Sequence, residues 1–168
     1  MVTTTTTLQN PNILQPTGFK VVINRKRFAN LEFFANTVGH PSVNLAPAVT
    51  PFRRADMFQP GDKLTFDELV IDAIMDEEMY VYNEVYDWMT GLVEENIKPR
   101  GVSLTGIDDT SAYDISVLIL NSANNVVRTI TYRNAMITSV GSINFTTTTG
   151  VETITCAMSF RYDTFDFS

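Results

Sequence analysis

The chain has 168 residues, 44% apolar and 11% aromatic, which suits one folded domain with a sizeable core and not a disordered chain. A net charge of −7 argues against a surface that grips phosphates through clustered Lys and Arg, and a single cysteine excludes an intrachain disulfide.

The N-terminus, Met1-Val2 and then a run from Thr3 to Thr7, has neither the positive start nor the apolar core of a signal peptide. Residues 1–17 are expected to form a flexible Thr-rich arm, followed by a single domain over residues 18–168. The longest apolar run, Val117-Leu118-Ile119-Leu120, is far short of the ~20 residues that span a membrane, so no membrane and a soluble compartment are expected. After Pro16-Thr17-Gly18, residues 19–24 read as a strand, Arg25-Lys26-Arg27 as a turn and residues 31–38 as a second strand, together a candidate hairpin. Residues 39–60 carry Pro41, Pro47, Pro51 and Pro60 among small residues, with Phe52-Arg53-Arg54 in the middle. No regular element is expected there, and loops this long are usually functional or ordered by a partner.

Pro60-Gly61-Asp62 is turn chemistry, and the alternation after it sets Leu64, Phe66, Val70 and Ile74 against Leu69, Ile71 and Ala73, as in a strand with two partly apolar faces. At Asp76 the period changes to about 3.6. Val81, Tyr82, Val85, Tyr86, Trp88, Met89, Leu92 and Val93 form a broad apolar stripe, which predicts a helix over residues 77–95. Asp76 is placed to cap it, Glu77 and Glu78 suit its positive end, and Lys98-Pro99 suits its stop. Residues 100–110 are turn-rich. Strands are then predicted at 114–120, 126–133, 135–140, 144–148 and 151–163, with a tight turn at Asn124-Asn125, a break at Gly141-Ser142 and a join at Thr149-Gly150. The last alternates cleanly, with Ile154, Cys156, Met158, Phe160 and Tyr162 on one face and Thr153, Thr155, Ala157, Ser159 and Arg161 on the other. One apolar and one polar face is the signature of an antiparallel sheet, and the fold is read as mainly β with one helix.

The candidate chemistry is thin. His40 stands alone and lacks the partner a metal site or catalytic pair needs, so it reads as a loop histidine. Cys156, on the apolar face of the last strand, reads as an inert core thiol. Asp108-Asp109 with Asp114 lacks the ligand order of a Ca²⁺ loop, and Asp76, Glu77 and Glu78 are explained by a helix start. Asp67, Glu68 and Asp72 are placed on a strand and read equally as an acidic stripe facing a lumen or partner and as ordinary solvent-exposed carboxylates. Arg25-Lys26-Arg27 and Arg53-Arg54 suit acidic surface on a neighbouring copy better than nucleic acid, and Asn144-Phe145-Thr146 is a chance sequon. With no phosphate loop, nucleophile elbow or zinc motif, no enzyme, cofactor or metal is expected. A mostly β chain with uncovered edges, a Pro-punctuated loop and a Thr-rich arm instead calls for other copies of itself to satisfy its backbone.

The run Gly61-Asp62, Thr65-Phe66-Asp67-Glu68, Asp76-Glu77 and an amphipathic helix carrying Trp88 resembles the corresponding segment of the tail tube proteins of contractile-tailed bacteriophages. The likeness extends more weakly over the chain through Gly18-Phe19-Lys20-Val21-Val22-Ile23, the long loop before Gly61 and the alternating final strand. It implies a small antiparallel β-barrel or sandwich with one flanking helix, whose strands join into a larger inner barrel when hexameric rings assemble and stack. Implied too are a negatively charged lumen that conducts DNA during ejection, and partners in the tail sheath, baseplate, tail terminator and tape measure proteins. The location implied is the phage virion, after assembly in the host bacterial cytoplasm. Phe52, Arg53, Arg54, Met57 and Phe58 would then contact another subunit or ring, as would the Thr-rich arm. Asp67, Glu68 and Asp72 would lie at the lumen or lateral seam, and Glu84 and Asp87 on an outer helix face toward the sheath. A tube initiator or terminator cap of the same fold, or the tube protein of a related contractile injection system, is the alternative. The long Thr start and the short connection over residues 100–110 depart from the family's pattern.

Overall fold

The computed structural model describes residues 13–23, 28–97, 112–147 and 153–168, with side chains for all of these except 94–97. The Arg25-Lys26-Arg27 turn, Asp108-Asp109 and most of the Thr-rich arm lie outside the described residues.

The alternation around Cys156, Met158 and Phe160 does produce a half-buried strand, β10 (Thr155–Arg161). It pairs antiparallel with β7 (Leu69–Ile74), whose Leu69, Ile71 and Ala73 are buried and whose Val70, Asp72 and Ile74 form the other face. On its other side β10 pairs with the C-terminal part of β9 (Val126–Val140). Residues 126–133 and 135–140, expected as separate strands, are one strand that bends at Asn134, where φ is 53°. Asparagine tolerates this left-handed backbone, and the bend is braced: Asp114 accepts from the Asn134 N–H at 3.1 Å, and Asn134 Nδ2 donates to Asp163 at 2.8 Å.

Beyond the bend, β9 pairs with β8 (Tyr113–Leu120) across the turn at residues 121–125, and β8 pairs with β1 (Phe19–Val22). The last strand is shorter than expected because the chain breaks at Tyr162-Asp163, where Asp163 N–H reaches the Arg133 carbonyl at 3.1 Å. It resumes as β11 (Thr164–Phe167) beside the other half of β9. β9 is thus common to two sheets, one of β1, β8, β9 and β11 and one of β9, β10, β7 and β2 (Ala35–Gly39). Both turn apolar faces to a shared core, which is the expected mainly β architecture. Residues 144–147 pass through without joining a sheet.

Residues 31–38 do not form a hairpin with β1. They divide into a short helix, α1 (Ala29–Phe34), and β2, which pairs with β7 while β1 pairs with β8. Phe28, Leu31 and Phe34 recur at helical spacing and face the core, a period that the neighbouring alternation disguises. The long helix α2 (Tyr80–Ile97) starts later than predicted, because a turn with Met79 at φ 56° precedes it. Asp76 caps it as expected, accepting from the N–H groups of Tyr80 at 3.0 Å and Val81 at 3.3 Å. Val81, Val85 and Trp88 are fully buried, with the Trp88 ring 4.8 Å from Phe28, 5.4 Å from Tyr113 and 5.8 Å from Phe160.

Trp88 Nε1 is buried and, among the described residues, meets no acceptor, so the indole contributes through packing alone. Trp88→Ala is expected to lower stability by about 3–5 kcal/mol in a denaturant titration, whereas Trp88→Phe, which removes the orphan donor, should lose less than half of that. A pH effect is also expected at the alkaline end. Burial raises the pKa of Tyr132 from its ordinary 10.0 and that of Cys156 from 9.0. Above these ordinary values the unfolded chain releases protons that the folded chain keeps, so thermal stability should fall as pH rises past about 9. Tyr132→Phe should flatten the part of that fall near pH 10.

Candidate assembly surface

Residues 39–60, expected to lack regular structure, form a two-stranded arm with the segment that follows. At its base β3 (Val43–Leu45) pairs with β6 (Leu64–Phe66), and farther out β4 (Ala48–Pro51) pairs with β5 (Asp56–Gln59). Its prolines sit where a ribbon allows them, in the joints between strands or at a strand end. Gly61 makes the joint possible: a Cβ there would lie 1.8 Å from the Ala46 carbonyl oxygen. The base is fixed to the body through Phe66, whose ring meets Tyr162 at 6.0 Å and Phe165 at 5.6 Å, and its two sides are joined below β3 and β6 by Asp67, whose N–H reaches the Ser42 carbonyl at 3.1 Å while its carboxylate accepts from Ser42 Oγ.

Directly opposed residues share a face, so Val43, Leu45, Leu64 and Phe66 form an apolar stripe along the base, and Val49 and Phe58 form a second pair beyond it. Apart from Phe66 these side chains are exposed. Phe52 at the tip is 71% exposed, Phe58 70% and Met57 54%, with Arg53 and Arg54 also in solvent. A projecting ribbon that keeps this much apolar surface in water is the mark of an interaction site. The five expected contact residues, Phe52, Arg53, Arg54, Met57 and Phe58, all fall on its outer part.

The three expected acidic residues do not form a stripe on one strand. Asp67 and Glu68 lie in the connection between β6 and β7, and only Asp72 is on a strand. Asp67 is held at the arm base by Ser42. Glu68 pairs with Arg161 at 3.5 Å, and Asp72 lies opposite Ala157 and Thr37. Glu68 and Asp72 therefore share the outward face of the second sheet with Val70, Ile74, Thr155, Ala157, Ser159 and Arg161, a mixed surface of hydroxylic, aliphatic and charged side chains.

Glu84 is not an outward-facing residue. Its carboxylate accepts from Asn30 Nδ2 at 2.7 Å and from the Leu31 N–H at 3.2 Å, at the start of α1. Phe28, at the N-cap position of α1, supplies no side-chain cap, so a carboxylate from α2 fills that place. Asp87 is exposed as expected. Beside it the predicted apolar stripe proves wider than the core: Tyr82 and Tyr86 stack with centroids 6.3 Å apart, and Tyr86 and Val93 stay exposed.

His40 is not a bare loop histidine. Its Nδ1 is 2.7 Å from the Tyr132 hydroxyl and its ring meets Phe165 edge-on at 5.2 Å, which ties the start of the arm to the sheet. Cys156 is buried and hydrogen-bonds the Gly141 carbonyl at 3.3 Å. Asp114 belongs to an ion-pair cluster in which Arg133 bonds Asp114 at 2.9 Å and Asp166 at 3.2 Å, drawing together β8, β9 and β11. Among the described residues no cluster of His, Cys, Asp and Glu could hold a metal, and no helix is long and apolar enough to cross a membrane.

If Gly61 is what permits the joint, Gly61→Ala should displace the arm and spare the body. Limited proteolysis is expected to cut residues 43–66 severalfold faster in that variant, with the melting temperature almost unchanged.

No protein-family model matches the chain, and no curated protein matches it in sequence. Solved structures do match. A chain of the tube-terminating cap of the anti-feeding prophage superposes with a TM-score of 0.67 over 100% of this chain and 99% of that one, at 14% identity. A chain of the sheath-tube complex of an extracellular contractile injection system, PVC, gives 0.63 over 94% and 93%, at 14% identity. One from the anti-feeding prophage baseplate gives 0.60 over 96% and 97%, at 10% identity. The chain therefore shares, nearly end to end, a fold found in the sheath-tube, baseplate and cap assemblies of these contractile systems.

Proposed function

We propose that this chain is a structural, ring-forming subunit of the tube of a contractile injection machine. The observation that carries the reading is the second sheet, whose strands run in the order β9, β10, β7, β2 with every neighbouring pair antiparallel. Its margins, β2 and residues 136–140 of β9, have no further strand beside them among the described residues. Four alternating strands leave these margins running in opposite directions, so copies set side by side continue the alternation and a ring closes without a mismatched pair. Closure removes edges that a solitary molecule would have to protect. The six-fold symmetry of the baseplate containing one structural neighbour supports a hexamer.

In this reading the outward face of the second sheet, carrying Glu68 and Asp72, lines the channel, while Asp67 belongs to the arm. Phe52, Arg53, Arg54, Met57 and Phe58 meet a neighbouring subunit or ring. Asp87, with Tyr82 and Tyr86, is the helix surface for a sheath subunit, and Glu84 takes no part because it is committed to α1. Baseplate and terminator proteins are the partners at the ends. The structural neighbours come from injection systems, which favours such a machine over the phage tail tube of the sequence resemblance. In a phage tail the same channel would conduct DNA past an acidic wall alongside a tape measure protein. A second reading, a cap that terminates the tube, is favoured by the likeness to the tube-terminating cap along the whole chain.

Negative-stain imaging of the purified chain tests both. Long hollow tubes are expected for a shaft subunit and single rings for a cap, and a monomer at high concentration overturns the proposal. Deleting residues 43–58 should leave a folded protein that no longer forms tubes; tubes of normal length would remove the arm from the contact.

A further inference from the structure

The first sheet has an open side of its own. β1 meets only β8 among the described strands. Leu120 N–H donates to the Gly18 carbonyl at 2.8 Å, and Phe19 lies opposite Ile119. Gly18, Lys20 and Val22 therefore bond toward β8, and the backbone groups of Phe19 and Val21 point to the unpaired side. α1 runs along that side and leaves a groove of about 540 Å³, lined by Phe19, Val21, Thr17, Glu32 and Phe33 among others. Lys20 and Glu32, 3.9 Å apart, also line it, and Phe33 is 79% exposed.

The same molecule carries an apolar pair with nothing to cover it. Ile13 is 92% exposed and Leu14 65%, just before the turn in which Gly18 N–H bonds the Gln15 carbonyl. They stand close in sequence to Thr17, yet they leave their own groove empty. Pro11 and Pro16, which lack backbone donors, bracket Ile13 and Leu14 in the sequence.

We infer that the β1–α1 groove receives Ile13 and Leu14 of a second copy, whose chain adds along the open edge of β1. This rests on the reading that copies assemble. The occupant is specified by position and chemistry: a segment bracketed by prolines in the sequence, with an exposed apolar pair, placed just before the strand whose open edge it would extend in a neighbouring copy. Strand addition supplies backbone bonds to Phe19 and Val21, and the apolar pair covers Phe33. Each copy gives one segment and takes one, which a head-to-tail contact continues around the proposed ring.

Disulfide trapping tests it with the full chain, because the native Cys156 is buried. Leu14→Cys protein and Phe33→Cys protein are mixed, allowed to assemble and oxidised. A covalent pair is expected in the mixture and in neither variant alone, the double variant should give a ladder of linked chains, and adding Ile13→Asp should abolish the link. Rings or tubes without any link in the mixture would overturn the groove assignment and leave the tube reading standing. A link confined to single chains of the double variant would place the segment in its own groove and also overturn it. If the unsubstituted chain never assembles, both readings fall.

Discussion

One strand holds the molecule together because it belongs to two sheets. β9 is long enough to pair with β8 and β11 before its bend and with β10 after it, and the bend turns both apolar faces onto one core. Asn134 takes the backbone angle that the bend requires, and Asp114 and Asp163 satisfy the polar groups it exposes. With the sheets set at this corner, a space remains that only a bulky side chain fills, and Trp88 fills it against Phe28, Tyr113 and Phe160. The core is complete within a single copy.

The margins are not. Among the described residues, closing the core inward leaves the outer edges of β1 and β2 without strand partners and sends the β3–β6 arm away from the body with its apolar stripe in water. Self-contained β proteins cover or charge such edges. In the proposed assembly, stability and association are divided between different parts of the chain: buried aromatic packing holds one copy together, while the exposed edges and the arm would serve contacts between copies. His40 and Phe66 tie the arm's base to the body.

Much of this was legible in the sequence where a single period governed a segment. The alternation of Cys156, Met158 and Phe160 and the helical stripe through Val81, Val85 and Trp88 both place their buried faces correctly. Asp76 was identifiable as a cap because capping is local. Failures came where distant partners decide. Residues 29–34 are too short a helix to show a period, and the carboxylate that starts them lies 53 residues away in Glu84, as an outward charge would appear in sequence. In sequence the arm reads as a loop because four prolines recur among small residues, and an isolated ribbon accommodates them at its joints and strand ends. Exposure of Phe52, Arg53 and Arg54 was nonetheless legible, since a large ring and two charges in such a stretch have nothing local to pack on. Asp67, Glu68 and Asp72 looked like one group by spacing, and the connection between β6 and β7 separates them.

Amide hydrogen exchange, read across a concentration series, tests the central claim most directly. If the second sheet becomes whole only between copies, amides of β2 and of residues 136–140 exchange freely in dilute protein and gain protection together as copies associate, while β10 and the buried face of β7 are protected throughout. Equal protection of those margins at every concentration would show that one copy covers its own edges, and would contradict the account.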